Sequence, residues 1–378
     1  MNILVVNWQD IKNPLGGGAE VHLHEIFKRI AAQGNSVTLF CSSFLGAPAE
    51  ETIDGIRIIR AGSRNLFNFR VPGDYRARFS DKKFDVVVDD INKIPFYTPL
   101  FVRKPLVGIV HHLFDSSIFL EASIPAALYV YGAEKFIPRV YRRIPMAVVS
   151  ESTKQELIRK GFDERNITIV PNAVDTALFH PLRTKSAGGP FIGHLGRLKK
   201  YKSVDHLLEA FAIVRKEVKD ARLLIVGDGD FRPALEQRAS DLQLHHAVTF
   251  PGQVSEEEKV RLLNRMTLAV NCSAKEGWGL TVIEANACGV PVVASDVPGL
   301  RDAVVDEKTG LMYEYGNIEQ LAQKIVLVLR DEKLRARLSR EALAWAKSFR
   351  WEDSADTMLG LLERTVHFKQ SGGAGGRG

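Results

Sequence analysis

The sequence predicts an α/β protein built from two doubly wound parallel-sheet domains. Three observations carry that expectation. The chain has 378 residues, more than one ordinary hydrophobic core accommodates. Short apolar runs, such as VVV at 86–88 and VGIV at 107–110, alternate with longer segments of helical period. Continuous apolar runs of this kind suit parallel strands buried on both faces. The alternation pauses at LRTKSAGGP, within Pro181–Pro190, and then begins again.

The first domain is expected over residues 1–182. Its strands fall at Asn2–Asn7, Ser36–Cys41, Ile56–Arg60, Phe84–Asp89, Leu106–His111, Met146–Ser150 and Ile167–Val170. Between the first two strands, Val21, Ile26, Phe27, Ile30 and Ala31 recur at helical spacing, and Gly34 stops the helix. The second domain, 190–350, opens with strand GPFIGHLG and a helix from about Ser203. Strand ARLLIVGDGD, a helix from about Phe231, strand HAVTFPG and helix Ser255–Arg265 follow. Strand TLAVNCS, helix Leu280–Cys288 and strand VPVVAS complete the alternation. Helices at Ile318–Leu329, Glu332–Ser348 and 352–366 close the fold, and 367–378, ending in SGGAGGRG, reads as a disordered tail.

Hydrophobic content of 45% with 25% charged residues places the chain among soluble globular proteins. No apolar run reaches the roughly 18 residues of a membrane span. MNILVVNWQD reads as a first strand rather than as a cleavable leader. Cys41, Cys272 and Cys288 are too few for a disulfide framework and lack zinc-ligand spacing, which points to a reducing cytoplasm. The net charge of +6 is unevenly spread. Between Arg57 and Lys83 stand eight basic residues against two acidic ones, with Phe67, Phe69, Tyr75 and Phe79 among them. Lys135, Arg139, Arg142 and Arg143 form a second cluster. Both clusters suit a solvated face or an anionic membrane surface, and no nucleic-acid motif accompanies them.

Ligands of wound sheets bind beyond the C-terminal strand ends, so the motifs there carry the functional information. After the first strand, Gly16, Gly17 and Gly18 let backbone approach a ligand at a helix start. The run is not G-x-G-x-x-G, and the second strand ends in CSSF without an acidic residue, which argues against a dinucleotide site. In GRLKKYKS, Arg197, Lys199, Lys200 and Lys202 lie between a strand and a helix, an arrangement suited to a diphosphate. In KEGWGLTVIEANACG, Glu276 falls in a loop at the sheet edge and Glu284 inside the following helix. The N–H groups of Trp278–Thr281 are helix-start donors for anionic oxygens, and each glutamate can accept from sugar hydroxyls. His111 and His112 end the strand LVGIVHH. No metal-binding constellation and no G-x-S-x-G nucleophile elbow is present.

Together GGGAEVHLHEIFKRIAAQG, VSESTKQELIRKGF, ITIVPNAVDTALFHP, GRLKKYKSVDHLLEAF, LLIVGDGD, FPGQVS and EGWGLTVIEANACGVPVVAS resemble the retaining glycosyltransferases of family 4. The resemblance runs from about residue 2 to 366 and implies the GT-B fold, two Rossmann-like domains facing across a cleft. It implies a cytoplasmic transferase that moves a sugar from a UDP-sugar or GDP-sugar to a hydroxyl acceptor, peripheral to the inner face of the plasma membrane where that acceptor is lipid-linked. A glycan or small-molecule acceptor is the other option.

On this resemblance Arg197 and Lys202 neutralise the diphosphate, and Glu284 binds the ribose. Glu276 holds the transferred sugar, with backbone of Gly277, Trp278, Gly279 and Leu280 against sugar and phosphate. Gln253 and Val254 meet the base, and Gly17 and Gly18 approach the donor phosphates or the acceptor. His111 matches the family's histidine near the reacting sugar, while His112 stands where many members carry an acid, so both stay in play. Neither a metal nor a cofactor is implied. The last helix would pack back on the first domain and share a hinge with Ser186–Gly189. A GT-B epimerase or phosphorylase, or a non-catalytic nucleotide-sugar-binding module, are the competing readings.

Overall fold

The computed structural model describes residues 1–92, 94–182 and 189–372. Most of the expected linker and hinge, 183–188, and the glycine-rich end, 373–378, lie outside the described residues. The chain forms two compact units. The first comprises Met1–Asn172 with the C-terminal helix, and the second is the continuous segment Ala173–Arg350.

In the first unit the order is β1 (Asn2–Val6), α1 (Gly18–Ala32), β2 (Ser36–Ser43), β3 (Glu50–Ile53), β4 (Ile56–Ser63) and α2 (Phe67–Arg78). Then come β5 (Val86–Ile91), β6 (Leu106–Val110), α3 (Ile124–Tyr141), β7 (Met146–Val148), α4 (Glu151–Arg159) and β8 (Ile167–Ile169). Eight strands make one sheet in the order β3-β4-β2-β1-β5-β6-β7-β8. All neighbours are parallel except β3 on β4, which is antiparallel at the edge. The seven expected strands are present with ends shifted by up to three residues. The added β3, EETI, is polar and half exposed, so it lacks the apolar run that marks the inner strands.

Two helices, α2 and α3, are not announced by apolar periodicity. Pro72 and Gly73 stand inside α2, and Pro138 inside α3, residues that ordinarily read as breaks. The basic stretch 57–83 is shared between β4 and α2. Phe67 and Phe79 are buried in the core with Phe40, and Tyr75 is almost so. Arg60 is fully enclosed, its guanidinium 2.7 Å from Asp10 and 2.6 Å from Glu51.

The second unit runs β9 (Phe191–Leu195), α5 (Val204–Glu217), β10 (Arg222–Val226), α6 (Arg232–Asp241), β11 (Val248–Gly252), α7 (Glu256–Arg265) and β12 (Leu268–Asn271). It continues with α8 (Leu280–Ala287), β13 (Val292–Ser295), α9 (Leu300–Ala303), β14 (Gly310–Tyr313), α10 (Ile318–Arg330) and α11 (Glu332–Ala346). Its six strands are all parallel, in the order β11-β10-β9-β12-β13-β14. Counted from β9 this is the order 3-2-1-4-5-6 of a doubly wound sheet. The winding reverses between β9 and β12, and the crevice beyond their C-terminal ends is the ligand position such a sheet offers.

The last helix, α12 (Trp351–Gly372), belongs to the first unit. Met358 and Leu362 are fully buried, and Ser354 Oγ donates to Pro171 O at 2.8 Å. Arg29 on α1 pairs with Glu352 at 3.0 Å. The helix passes through 367–372, where a disordered tail was expected, because no helix breaker precedes the glycine run. No helix among the described residues is long and apolar enough to cross a membrane.

At the end of α3, the Tyr141 hydroxyl donates to Asp89 Oδ2 at 2.6 Å, and Thr98 Oγ1 donates to the same oxygen at 2.6 Å. Burial nevertheless pushes the Asp89 carboxyl up to about 6. The folded protein therefore keeps a proton that the unfolded chain has lost above about 4. This group's contribution to stability is fullest below about pH 4 and declines as pH rises through about 6. Asp89→Asn keeps an acceptor for both hydroxyls and should flatten that decline. Urea melts at several pH values between about 4 and 7 test it, and an unchanged pH dependence in the variant would contradict the assignment.

Candidate active site

The loop after β9 carries the first cluster. Its course is set by backbone hydrogen bonds to neighbouring loops: Gly196 N donates to Val226 O at 3.1 Å and Leu198 N to Asp228 O at 2.9 Å. Arg197 therefore projects from a fixed backbone. It is exposed and has no ion-pair partner among the described residues. Lys199 is held by Asp230 at 2.7 Å. Lys202 is largely buried and lies 2.5 Å from Glu276 Oε1. Of the four cations between this strand and helix, Lys199 is paired and Lys202 sequestered, while Arg197 and Lys200 are exposed.

The loop after β12 supplies the other side. Ala274 N donates to Tyr201 O at 2.8 Å, binding this loop to the turn that bears Lys202. Ser273 Oγ lies 2.7 Å from both Glu276 Oε1 and Asn271 Oδ1, and Asn271 Nδ2 donates to Glu276 Oε1 at 3.4 Å. Burial alone would raise the Glu276 carboxyl, but the Lys202 charge and the hydrogen bonds outweigh it and hold the group below its ordinary value. Lys202 responds in kind: burial disfavours its charge, and Glu276 more than restores it. The two are a mutually maintained ion pair. Removing either would strand the other, which typically costs about 3–5 kcal/mol in a buried setting.

Two glycines shape the chain beyond Glu276. Gly279 precedes α8 with φ +102°, a conformation that favours glycine. Gly299, φ +85°, packs so closely that a Cβ there would stand 2.2 Å from Glu276 O. In α8 the Val282 N–H reaches Gly279 O at 2.9 Å, so the N–H groups of Leu280 and Thr281 form the open helix start. Trp278 is 4% exposed and edge-on to Phe349 at 4.8 Å. Its side chain is a packing group, and the backbone around Gly277–Leu280 is what this loop presents.

Glu284 has a separate partner. Lys259 Nζ on α7 lies 3.1 Å from Glu284 Oε1, while Oε2 is buried without a protein partner. Burial raises the Glu284 carboxyl, and Lys259 only partly offsets it. The two glutamates are thus anchored by different lysines, and only Glu284 keeps a buried oxygen unsatisfied. Gln253 is exposed and Val254 half exposed in the turn from β11 to α7. Beneath the first cluster, His194 is neutral: burial drives it down to about 4, with Nδ1 3.1 Å from Val270 O.

Gly17, Gly18 and His111 belong to the first unit, and the other ten predicted site residues to the second. Gly17 N donates to Glu20 Oε2 at 2.7 Å, closing the start of α1. A Cβ on Gly18 would meet nothing within 4 Å, so close packing does not require glycine there. His111, beyond the end of β6, donates from Nε2 to Asp90 Oδ1 at 2.9 Å. Its ring meets His22 edge-on at 5.1 Å. Burial opposes the His111 charge, but Asp90 reverses the effect and holds the imidazole above its usual value. His22 has no such carboxylate, and burial drives it down to about 3. His112 is half exposed and packs on Phe114 at 4.7 Å. The inward, acid-paired position therefore falls to His111.

Sequence reading missed Asp90, His22, His194, Asn271, Ser273 and Lys259 as site neighbours. Asp90 left a signal, since DD ends the apolar run VVV. Lys259 left none, because EEEK reads as a solvated helix start. No group of three His, Cys, Asp or Glu among the described residues is arranged to hold a metal ion.

A wound sheet with an exposed arginine, a buried Lys–Glu pair and a helix start at its reversal point marks the class of doubly wound α/β proteins whose crevice suits an anionic ligand. Comparison with known proteins narrows that class. Residues 16–178 match the model for Glycosyltransferase Family 4, and 179–345 that for Glycosyl transferases group 1. N-acetyl-alpha-D-glucosaminyl L-malate synthase of Bacillus anthracis is 33% identical over 87% of this chain and 89% of its own. D-inositol 3-phosphate glycosyltransferase of Nocardia farcinica is 32% identical over 69% of this chain, and the match spans 61% of that relative. Among solved structures, sucrose-phosphate synthase from Thermosynechococcus elongatus superposes with TM-score 0.81 at 22% identity, covering 97% of this chain and 99% of that one. Anabaena Alr3699/HepE, in complex with UDP and glucose, gives 0.75 at 19% identity, covering 96% and 100%. The chain belongs to glycosyltransferase family 4 and is a glycosyltransferase of the GT-B type.

Asp90→Asn should move the His111 titration from above to below the usual histidine range, since burial then acts unopposed; imidazole NMR titration reads this directly, and an unmoved midpoint would refute the pairing. Gly299→Ala should cost about 1–3 kcal/mol in denaturant melts, because the new methyl meets backbone that cannot yield. A neutral result there would mean that the Glu276 loop is not held by this contact.

Proposed function

We propose that the protein transfers a sugar from a uridine diphosphate sugar to a hydroxyl acceptor, with retention of anomeric configuration and without a metal ion. The observation that carries the reading is the open Arg197 beside the buried Lys202–Glu276 pair at the reversal point of the second sheet. Two fixed cations and the α8 start supply the charge stabilisation that a departing diphosphate requires. Glu276, held ionised, accepts from hydroxyls of the transferred sugar. Glu284 Oε2, buried and unpartnered, accepts from the nucleotide ribose. Gln253 and Val254 meet the base, and His111, whose proton affinity Asp90 raises, acts near the reacting sugar.

Uridine is favoured over guanosine because the Anabaena structure with the same fold holds UDP and glucose. The B. anthracis and N. farcinica relatives are named for malate and inositol phosphate acceptors, both anionic. By that analogy the acceptor is anionic, either a small molecule or, met by the cations of the first unit, a lipid-linked or cell-envelope precursor at the inner face of the plasma membrane.

A thermal-shift panel of UDP, GDP and ADP should show the largest rise with UDP, since a ligand bound only by the folded state raises apparent stability. Arg197→Ala, which removes an exposed and unpaired group, should keep the melting temperature of the free protein and lose that rise. Its kcat should fall by about 10²–10³, as for the loss of one charge-stabilising donor. Donor turnover that survives in the variant, or that vanishes in excess EDTA, would overturn the assignment.

A further inference from the structure

The first unit holds a second buried imidazole that the transfer chemistry leaves unused. His22, on α1, is 1% exposed, and its Nε2 lies 2.9 Å from Val170 O. A carbonyl only accepts, so Nε2 carries the hydrogen and Nδ1 the lone pair. Nδ1 is buried with no hydrogen-bond partner among the described residues. A side chain needed only to fill the core would avoid that cost, since an unsatisfied buried acceptor is destabilising and a phenylalanine ring has none.

The neighbours of His22 give the polar ring a purpose. It meets the His111 ring edge-on, 5.1 Å between centroids and 89° between planes, and it meets the Trp351 ring at 6.2 Å. Val170 stands just before the chain leaves the first unit after Asn172, and Trp351 is the residue at which the chain returns. Exit and return are joined where Ser354 Oγ donates to Pro171 O. The helix that bears His22 is fastened to the returning helix as well, by Arg29 to Glu352 and by Gln33 Nε2 to Asp356 Oδ1 at 2.9 Å. One side chain therefore touches the exit, the return and His111.

His111 needs such a neighbour. Its main chain is held by Thr153 Oγ1, which donates to His111 O at 3.3 Å, and its ring by the single bond from Nε2 to Asp90. A ring held at one nitrogen can still swing about that bond. With Nε2 committed, Nδ1 is the nitrogen left for a ligand, so the swing is what determines where it points. Charge near His111 comes from Asp90 on β5 and Glu20 on α1. Burial keeps His22 neutral, so it adds packing without repulsion.

We propose that His22 is a positioning residue for His111: bonded to Val170 O and packed on Trp351, it fixes the plane in which the His111 imidazole faces the reacting sugar. The inference rests on the reading of His111 given above. A displacement of either passage of the chain reaches His111 through this one side chain.

Two variants test it. His22→Phe keeps a ring and loses the bond to Val170 O; His22→Gln keeps a donor of similar reach and loses the ring. Turnover of UDP-glucose with water as acceptor should show kcat reduced by about tenfold to a hundredfold in each, the scale of a displacement near 1 Å. KM and the thermal rise with UDP should hold, because the donor-binding cations belong to the second unit; the retained rise also shows that the variants fold. In the His111→Ala background neither substitution should lower kcat further, whereas a group that only supports the fold would cost the same factor in both backgrounds. In imidazole NMR the His111 Nε2 proton should exchange faster with solvent in both variants. If His22→Phe fails to fold, His22→Gln carries every measurement. Unchanged kcat, equal losses in the two backgrounds, or an unmoved His111 exchange rate would each overturn the proposal. Full turnover in His111→Ala itself would instead sink the reading of His111, and this inference with it.

Discussion

The ion pair between Lys202 and Glu276 ties together the two loops at which the second sheet reverses its winding. Each member is buried enough to be unstable alone, and each stabilises the charged form of the other. The turn bearing Lys202 and the loop bearing Glu276 therefore cannot move independently without exposing a cost of several kcal/mol. The hydrogen bond from Ala274 to Tyr201 O and the tight packing of Gly299 on Glu276 O reinforce the same junction. Around it the open groups take their positions: Arg197 on one loop, the start of α8 after the other, and Glu284 within that helix. Preorganisation of this kind lets fixed charges act without rearranging at the moment a bond breaks.

The first unit solves a related problem with different chemistry. His111 and His22 lie ring to ring in a buried setting, yet their proton affinities diverge. One carboxylate, Asp90, makes the difference. With proton affinities set apart in this way, the two adjacent imidazoles need not both carry charge, which limits their mutual repulsion. His194, neutral beneath the cations of the second unit, follows the same rule, since a third positive charge there would oppose Lys202.

Much of this was legible in the amino-acid order, and the exceptions share a cause. The strands of both sheets are apolar runs whose burial on two faces leaves a direct imprint, so they could be read with ends shifted by a few residues. Glu276 and Glu284 were visible because spacing and glycines set them apart. Their lysine partners were less so: Lys202 could be seen as a cation but not as the mate of Glu276, more than seventy positions away, and Lys259 looked like helix surface. Asp90 and His111 come from neighbouring strands, and strand order is a tertiary fact. The helices α2 and α3 were hidden by internal prolines, which tertiary packing of Phe67, Ile137 and Tyr141 overrides. That same concealment made Phe67 and Phe79 look like surface aromatics when they are core.

The return of α12 to the first unit carries a consequence for how the polypeptide comes into being. The second unit is one uninterrupted segment, whereas the first needs residues from both ends of the chain. During synthesis from the N-terminus, all the strands of the first sheet emerge early, but the helix that covers α1 is made last. Until then the apolar patch destined for Met358 and Leu362 stays uncovered while a whole intervening unit is translated. Domains ordinarily mature in the order in which they leave the ribosome. Here the unit that begins first is completed only after the second unit has been made.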